Sequence, residues 1–356
     1  MRIMVQDLRY ALRVLRKSPG FTVAAVLTLA LAIGANAVVF SVMNALILRP
    51  LNLPDAQSLY ALWHPADTNA AQSYPDYVDV RQRNRSFEDL VAFNMDEVGA
   101  DTGTGPSNIW AYQTSGNYFD GLHLRPYLGR FFHASDEKGH DSAPYLVLSY
   151  NYWRNQFHGD RGVLGRVIQV NKHPFTIIGV APPGFHGTIL FFNPDIFTPI
   201  LAPGAAGHDE LNNRGSRWIF MVVGHLKPGV TKEQAVADLS SISAYLEKTY
   251  PKDDGRLQLG VASPGLYGDF IERPARAFMT ALMLLAGLIL LAACANLGSL
   301  FAARAADRTR EVALRLALGS SRGRILRGLL TEAMLISLIG GAIGLWGGVM
   351  LLLSAR

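Results

Sequence analysis

The sequence has few of the residues on which many protein functions depend. Its 356 residues include a single cysteine, Cys294, and only 17% of them are charged. One cysteine excludes a disulfide within the chain and a cysteine-based metal site, and it says nothing about the redox compartment. A Gly-Lys-Ser/Thr sequence is also absent, so this chain does not hydrolyse ATP through a P-loop. Low charge beside 49% hydrophobic residues is typical of a membrane protein.

Patterns typical of catalysis or metal binding are missing as well. The nine histidines make no His-x-x-x-His or Glu-flanked spacing, and His133 and His140 are interpreted as surface residues of a charged loop. Ser115 and Ser149 lack the context of a nucleophile elbow. We therefore predict no catalytic residue, no metal and no cofactor, and we expect that the protein is not an enzyme.

Positive charge is concentrated outside the middle of the chain, which argues against nucleic-acid binding. The formal net charge is +5, yet residues 49–276 hold 20 basic and 24 acidic residues, whereas the rest of the chain holds 13 basic and 4 acidic residues. A nucleic-acid-binding protein needs a basic face on a folded domain. Here the excess flanks apolar segments, where basic residues determine orientation in a lipid bilayer. We expect the bilayer, and no nucleic acid, as a partner.

Three segments lack any charged residue over a length that can span a membrane. They are residues 21–48, 277–303 and 333–355, with 28, 27 and 23 residues. At about 1.5 Å of rise per residue, each helix exceeds the ~30 Å hydrocarbon core. The first is too long for a signal peptide, and the sequence "RPLNLP" that follows it has no cleavage pattern. Three transmembrane helices are predicted.

Basic residues predict the orientation of these helices. Arg2, Arg9, Arg13, Arg16 and Lys17 precede the first span, and seven arginines lie in residues 304–332. Both regions are predicted to be cytoplasmic, so residues 49–276 lie on the other side. Residues 1–20 predict an amphipathic helix on the inner membrane surface that ends at Ser18-Pro19-Gly20; a disordered tail is the alternative. Its predicted apolar side carries Val5, Leu8, Leu12 and Leu15.

Residues 49–276 alternate strand-like and helical stretches, which predicts an α+β domain with two subdomains. The predicted strands are 58–64, 144–149, 166–170, 175–180, 217–226 and 257–263, and the predicted helices are 75–93, 150–157 and 231–250. Residues 171–173 are predicted to turn a hairpin, and Thr231 to cap the last of these helices. Asp136-Glu137 and Asp253-Asp254 are interpreted as solvated turns.

The chain resembles a known family of membrane proteins along its whole length. Five stretches carry the resemblance: "DLRYALRVLRKSPGFTVAAVLTLALAIGANAVVFSVMNALILRPL", "SGNYFDGLHLRPYLGRFF", "LSYNYWRNQFHGDRGVLGRVIQVNKHPFTIIGVAPPGF", "LKPGVTKEQAVADL" and "ADRTREVALRLALGSSRGRILRGLLTEAMLISLIGGAIGLWGG". They resemble ABC-type permeases with a MacB-like periplasmic core domain and an FtsX-like permease domain, and more narrowly the duplicated orphan permeases of acidobacteria. On this resemblance, residues 277–356 form an incomplete FtsX-like domain of a multi-pass protein in the bacterial inner membrane.

The resemblance also implies partners and a mode of action. Such permeases have four spans, pair with a cytoplasmic ABC ATPase, and relay its motion to the outer domain for export or mechanotransmission. A second permease half or a homo-oligomer is a further expected partner. Because the sequence ends at Arg356, directly after the third span, we expect a truncated product or a fragment. The alternative is a membrane-anchored periplasmic binding or scaffold protein without transport activity.

The loop of residues 304–332 has a layout beyond plain positive charge. Residues 310–318 predict a helix that is apolar on most of its surface, with Glu311 and Arg315 paired on the other side. Gly319 suits a helix stop, Ser320 or Ser321 can cap the next helix, and Arg322 follows. The loop is interpreted as an element that couples to an ATPase, with Arg310, Glu311, Arg315, Gly319 and Arg322 as its residues. The alternative is ordinary positive-inside charge.

Within the spans, small and polar residues predict contacts between helices. Gly340, Gly344 and Gly348 recur at four-residue spacing, which allows close approach of another helix. Asn296 in the second span and Glu332 at the edge of the third are polar at membrane depth. We predict that the glycines and Asn296 face a neighbouring helix of this chain or of a partner, and that Glu332 either bonds to such a helix or extends to the membrane surface.

Overall fold

The computed structural model of the protein describes residues 2–44, 51–65, 70–103, 105–189, 192–254, 258–264, 268–307, 309–318 and 321–354. The chain divides into a membrane unit, Met1–Arg49 with Ala275–Arg356, and a core unit, Pro50–Pro274. The helices are α1 (Arg2–Lys17), α2 (Pro19–Met43), α3 (Tyr74–Arg83), α4 (Tyr118–Gly121), α5 (Tyr150–Gln156), α6 (His208–Asn212), α7 (Lys232–Thr249), α8 (Gly268–Asp307), α9 (Thr309–Ala317) and α10 (Arg322–Ser354).

Three of the described helices are long and apolar enough to cross a membrane, as the sequence predicts. The candidate spans are Pro19–Ser41 in α2, Pro274–Ala306 in α8 and Ile325–Leu351 in α10. Exposed large side chains such as Leu31, Leu291 and Leu338 cover their outer surfaces. A surface of this kind is stable in lipid, where it needs no protein cover.

Helix α1 buries its apolar side against protein. It ends at Lys17, and α2 begins at Pro19, so the predicted break falls where expected. Ala11, Val14 and Leu15 are buried, and the helix packs on α10 and α2. Leu12, which the sequence placed on the apolar side, is 42% exposed. Protein thus covers Ala11, Val14 and Leu15, and the location of α1 on the inner membrane surface stays a prediction.

Among the described residues of the core unit, ten strands form one sheet in the order β10-β1-β9-β2-β3-β8-β5-β7-β4, and β6 pairs with β2 and β7. The strands are β1 (Leu59–Trp63), β2 (Phe87–Asp101), β3 (Pro106–Thr114), β4 (Leu128–Gly129), β5 (Tyr145–Leu148), β6 (Val167–Val170), β7 (His173–Val180), β8 (Ile196–Pro199), β9 (Met221–Leu226) and β10 (Gly260–Ala262). Pairing is antiparallel except for β3–β8 and β5–β7. Strands and helices mix as an α+β fold predicts.

The predicted hairpin and the predicted last helix are confirmed. Strands β6 and β7 are antiparallel neighbours, and Asn171 and Lys172 between them both have positive φ angles, 48° and 68°, as a two-residue hairpin turn requires. Thr231 caps α7, and its hydroxyl and the Gln234 side chain form a reciprocal capping box. The apolar side of α7 is buried under the sheet.

The helix predicted over residues 75–93 is wrong in its second half. Helix α3 ends at Arg83, and Phe87 begins the long strand β2. Leu90 and Ala92 lie in the apolar cluster around α3 and α7, whereas Val91 and Phe93 lie in the cluster around α4. Since β2 is covered on both faces, its sequence lacks the alternation that identifies a half-exposed strand.

Three apolar clusters fill the described part of the core unit. One surrounds α3 and α7, one surrounds α5 with β5, β6 and β7, and an aromatic-rich cluster around α4 lies in the remainder of the unit. All three lie along one sheet within a single compact unit. The division into two subdomains stays a prediction.

Candidate functional site

The loop between the second and third spans contains a short helix with an exposed apolar surface. Helix α9 lies between the end of α8 at Asp307 and the start of α10 at Arg322. Leu314 is 64% exposed and Leu318 is 79% exposed, and Leu316 is exposed as well. Exposed leucines on a nine-residue helix leave apolar area that a partner or lipid has to cover.

The polar residues predicted for this loop lie outside what the structure describes. The side chains of Arg310, Glu311, Arg315 and Arg322 and the whole of Gly319 belong to that set. Their backbone positions, apart from Gly319, fall in α9 and at the first residue of α10. Their roles, including the Glu311–Arg315 pair, stay predictions.

Below the loop, α2 and α10 approach each other closely along the predicted glycines. A Cβ atom at Gly344 would lie 2.5 Å from the carbonyl oxygen of Ala30, and one at Gly340 would lie 2.9 Å from the Leu29 side chain. At Gly348, the nearest atom would be the Gly34 carbonyl oxygen at 3.4 Å. Only residues without a side chain allow backbones to approach this closely, which is the usual function of glycine in membrane helices.

A different asparagine from the predicted one connects the first and second spans. The Asn36 Nδ2 donates to the carbonyl oxygen of Ala286 in α8 at 2.8 Å and to that of Ala32 at 2.9 Å. Asn296 is exposed on the surface of α8. Asn36 lies in a charge-free run, so the same search for polar residues at membrane depth would have identified it.

Arg304 and Glu332, the residues at the two ends of the loop, meet at its base. Arg304 Nη1 lies 3.8 Å from Glu332 Oε2, and the two side chains are 10% and 2% exposed. Arg304 Nη2 also donates to the Val14 carbonyl oxygen at 3.2 Å and to Ser18 Oγ at 3.1 Å. Its guanidinium carbon lies 4.2 Å from the centre of the Phe21 ring. We call Val14, Ser18, Phe21, Arg304 and Glu332 the loop-base cluster.

In the core unit, the serines and the histidines considered above have structural partners. Ser149 caps α5, and the Ser115 hydroxyl accepts a hydrogen bond from the Ala92 amide. His133 contacts Asp120, and His140 contacts Asp141. Within the part of the chain that the structure describes, no group of three or more His, Cys, Asp or Glu residues is placed to hold a metal ion.

Of the acidic residues interpreted as solvated, Asp254 is buried and Glu137 is partly buried. Asp254 is 1% exposed and lies near Arg214, which also contacts Asp76 at 2.5 Å and Asp79. Burial, followed by the charge of Asp76, raises the pKa of Asp254 to about 7. Burial likewise raises the pKa of Glu137 to about 7, although its carboxylate accepts a hydrogen bond from the Gly116 amide. Neither set of partners is recognisable in the sequence, because both form between distant segments.

Two family models match the chain in the order of its two units. The model for the MacB-like periplasmic core domain matches residues 22–242, and the model for the FtsX-like permease C-terminal matches residues 283–355. The chain belongs to the ABC permeases with a MacB-like periplasmic core domain. The matched models describe a permease with a periplasmic domain. The resemblance drawn from the sequence is confirmed.

The curated relatives are much longer than this chain, and about a quarter of the matched residues are identical. This permease is 26% identical over 235 residues to the macrolide export ATP-binding/permease protein MacB of Salmonella paratyphi A, which covers 65% of the chain and 33% of the relative. It is 26% identical over 284 residues to the protein of the same name from Burkholderia cenocepacia, which covers 79% of the chain and 38% of the relative. The chain thus spans about a third of the length of the curated relatives it matches.

Solved structures resemble parts of this permease. The periplasmic region of MacB from Actinobacillus actinomycetemcomitans superposes with a TM-score of 0.45 at 14% identity, covering 62% of this chain and 94% of that one. A domain of a putative permease protein from Porphyromonas gingivalis superposes with a TM-score of 0.47 at 14% identity, covering 63% of this chain and 98% of that one.

Proposed function

We propose that the chain is a permease subunit of an ABC-type export or mechanotransmission system, in which residues 304–332 couple a cytoplasmic ATPase to the periplasmic domain. The observation that carries this proposal is α9, a short helix between two spans, with Leu314 and Leu316 exposed on it and Leu318 exposed directly after it. A short helix with exposed leucines over much of its surface fits a groove on a partner protein. Arg310, Glu311, Arg315, Gly319 and Arg322 are the proposed polar part of the same surface.

In this proposal ATP is bound and hydrolysed outside these 356 residues. The sequence has no phosphate-binding loop, and the relatives carry both ATP binding and permease function in their name. Their name also supports export as the direction of transport. The cytoplasmic location of the loop and of the amino terminus rests on the basic residues that flank the spans.

Purification of the intact chain from native membranes tests the proposal. We expect an ABC ATPase to co-purify with the wild-type chain and to be lost from Leu314→Asp, because a charge on the exposed apolar surface prevents docking. Since Leu314 is exposed, this change leaves the fold intact. Ser321→Asp is the matched control, because it places the same charge in the same loop, on the exposed residue before α10.

Two results would contradict the proposal. One is a wild-type chain that brings no ATPase from membranes in which neighbouring genes are expressed. The other is Leu314→Asp retaining as much ATPase as Ser321→Asp. Either result, together with binding of a periplasmic protein or lipid to the core unit, would favour the membrane-anchored binding or scaffold protein instead.

A further inference from the structure

The loop-base cluster joins three segments of the membrane unit that are far apart in sequence. Arg304 is near the end of α8, Glu332 is in the first turns of α10's span, and Val14, Ser18 and Phe21 surround the junction of α1 and α2. The basic and the acidic partner are also the first and last residues of the predicted cytoplasmic loop, residues 304–332. Anything that moves this loop acts on the cluster first.

The contacts of Arg304 restrain this junction from several directions. One nitrogen of the guanidinium donates to both the Val14 carbonyl and the Ser18 hydroxyl, while the other faces the Glu332 carboxylate. The planar group stacks over Phe21, which makes an edge contact with Phe301 one turn earlier in α8. An arginine offers donors in a fixed planar fork, so it fixes the relative positions of its acceptors better than a lysine.

The burial of the pair distinguishes it from ordinary positive-inside charge. An arginine that only determines orientation extends toward water or lipid headgroups, as exposed Arg327 does on α10. Arg304 and Glu332 are instead almost fully covered, and covering two charges is unfavourable unless each is held by its partner. A buried, mutually dependent pair is thus a point at which three helical segments are held in one arrangement.

We propose that Arg304 is a positioning residue of the cytoplasmic loop, which holds both ends of the loop against the α1–α2 junction so that loop motion is transferred to α2 and α10 together. This inference rests on the proposed function, because that function supplies the force on the loop. Its structural part, the fixed distance between loop and α1, is independent of any ATPase.

Distance measurements on the full chain in lipid nanodiscs test the structural part. Spin labels at Arg13→Cys in α1 and Leu318→Cys after α9, both exposed positions, are introduced with Cys294 replaced by serine. We expect a narrow distance distribution for the otherwise unchanged chain and a broadened or shifted one for Arg304→Gln. Glu332→Gln, which removes only the carboxylate charge, is expected to give the same change.

Arg327→Gln is the matched control, because it removes an exposed arginine from α10 and is expected to leave the distribution unchanged. Where Arg304→Gln fails to fold, Arg304→Lys keeps the charge without the planar fork and is expected to broaden the distribution as well. A lower melting temperature with an unchanged distribution for Arg304→Gln, Arg304→Lys or Glu332→Gln would overturn the inference, since it would show a role in stability alone.

A measurement of ATP hydrolysis distinguishes this inference from the proposed function. If the partner ATPase binds the wild-type chain, we expect the wild-type chain to stimulate its ATP hydrolysis, and Arg304→Gln to bind it equally and to lose this stimulation. Equal stimulation by Arg304→Gln and wild type would overturn the inference. If no ATPase binds the wild-type chain, the proposed function fails, and the distance distribution alone decides whether Arg304 positions the loop.

Discussion

At the scale of single residues, the most unusual group in the core unit is the Asp254 carboxyl. It lies among Asp76, Asp79 and Arg214, and Tyr250 stacks on the guanidinium of Arg214 at 3.6 Å. Burial raises the pKa of Asp254 to about 7, and the negative charge of Asp76 adds to this effect against the opposing charges of Arg214 and Arg217.

This shift predicts that the stability of the protein falls as the pH rises from about 4 to about 7. In that range the folded chain keeps the Asp254 proton, whereas the unfolded chain, whose carboxyl has the ordinary pKa of 3.8, has lost it. Each pKa unit between the two states corresponds to about 1.4 kcal/mol. Asp254→Asn, which is neutral at every pH, should flatten this decline and be more stable than wild type at pH ~8. Thermal unfolding of the core-unit transition at several pH values measures it.

Asp253→Asn provides the control for this prediction. Asp253 precedes Asp254 in the same turn but is exposed, so its replacement should leave the pH dependence as in the wild type. Glu137 also has a raised pKa and contributes a decline in the same pH range, which Asp254→Asn leaves in place. An unchanged pH profile in Asp254→Asn would show that the Asp254 carboxyl is ionised in the folded protein at neutral pH.

At the scale of secondary-structure elements, the packing of α10 on α2 depends on which glycine faces the other helix. Gly344→Ala places a methyl group 2.5 Å from the Ala30 carbonyl oxygen, so the helices must separate. We expect a loss of about 1–3 kcal/mol, as for other overpacked contacts. Gly347→Ala, where no atom of the described residues lies within 4 Å, should be neutral or stabilising by up to about 1 kcal/mol. Thermal stability of the two variants in the same detergent checks the difference.

The opposite ranking, with Gly347→Ala the less stable variant, would mean that α10 contacts α2 through another face. The comparison is informative because both changes add one methyl group to the same helix. They share the same gain in helix propensity, so only the contact differs.

Elements with signals in their own sequence are predictable, whereas elements that depend on contacts with distant segments are not. The α7 helix was predicted to its capping residue, because the Thr231 and Gln234 side chains and the apolar period lie within the helix itself. Residues 87–93 of β2 have a helical pattern in the sequence, because the burial of this strand on both faces comes from segments distant in sequence. The same limit applies to the loop-base cluster: positive-inside charge placed Arg304 at the inner edge of a span, but its partners Val14 and Ser18 lie 290 and 286 residues away.

At the scale of the whole molecule, the orientation of the chain determines what the rest of its features can do. Charge bias predicts that α1 and α9 lie in the cytoplasm and the core unit outside it. The family model that matches most of the core unit describes a periplasmic domain, which agrees with a location of this unit outside the cytoplasm. The net charge of the two regions agrees with this orientation, because the region predicted to be translocated is acidic and the remainder of the chain is basic.

Cysteine accessibility in spheroplasts decides the orientation directly. In a chain with Cys294 replaced by serine, Asp209→Cys in the core unit should react with a membrane-impermeant thiol reagent before lysis, since Asp209 is exposed. Leu318→Cys, directly after α9, is also at an exposed position, so it should react only after the membrane is permeabilised if it lies on the cytoplasmic side. The chain without cysteine is the blank. Reaction of Leu318→Cys in intact spheroplasts would reverse the orientation and remove α9 from contact with any cytoplasmic ATPase.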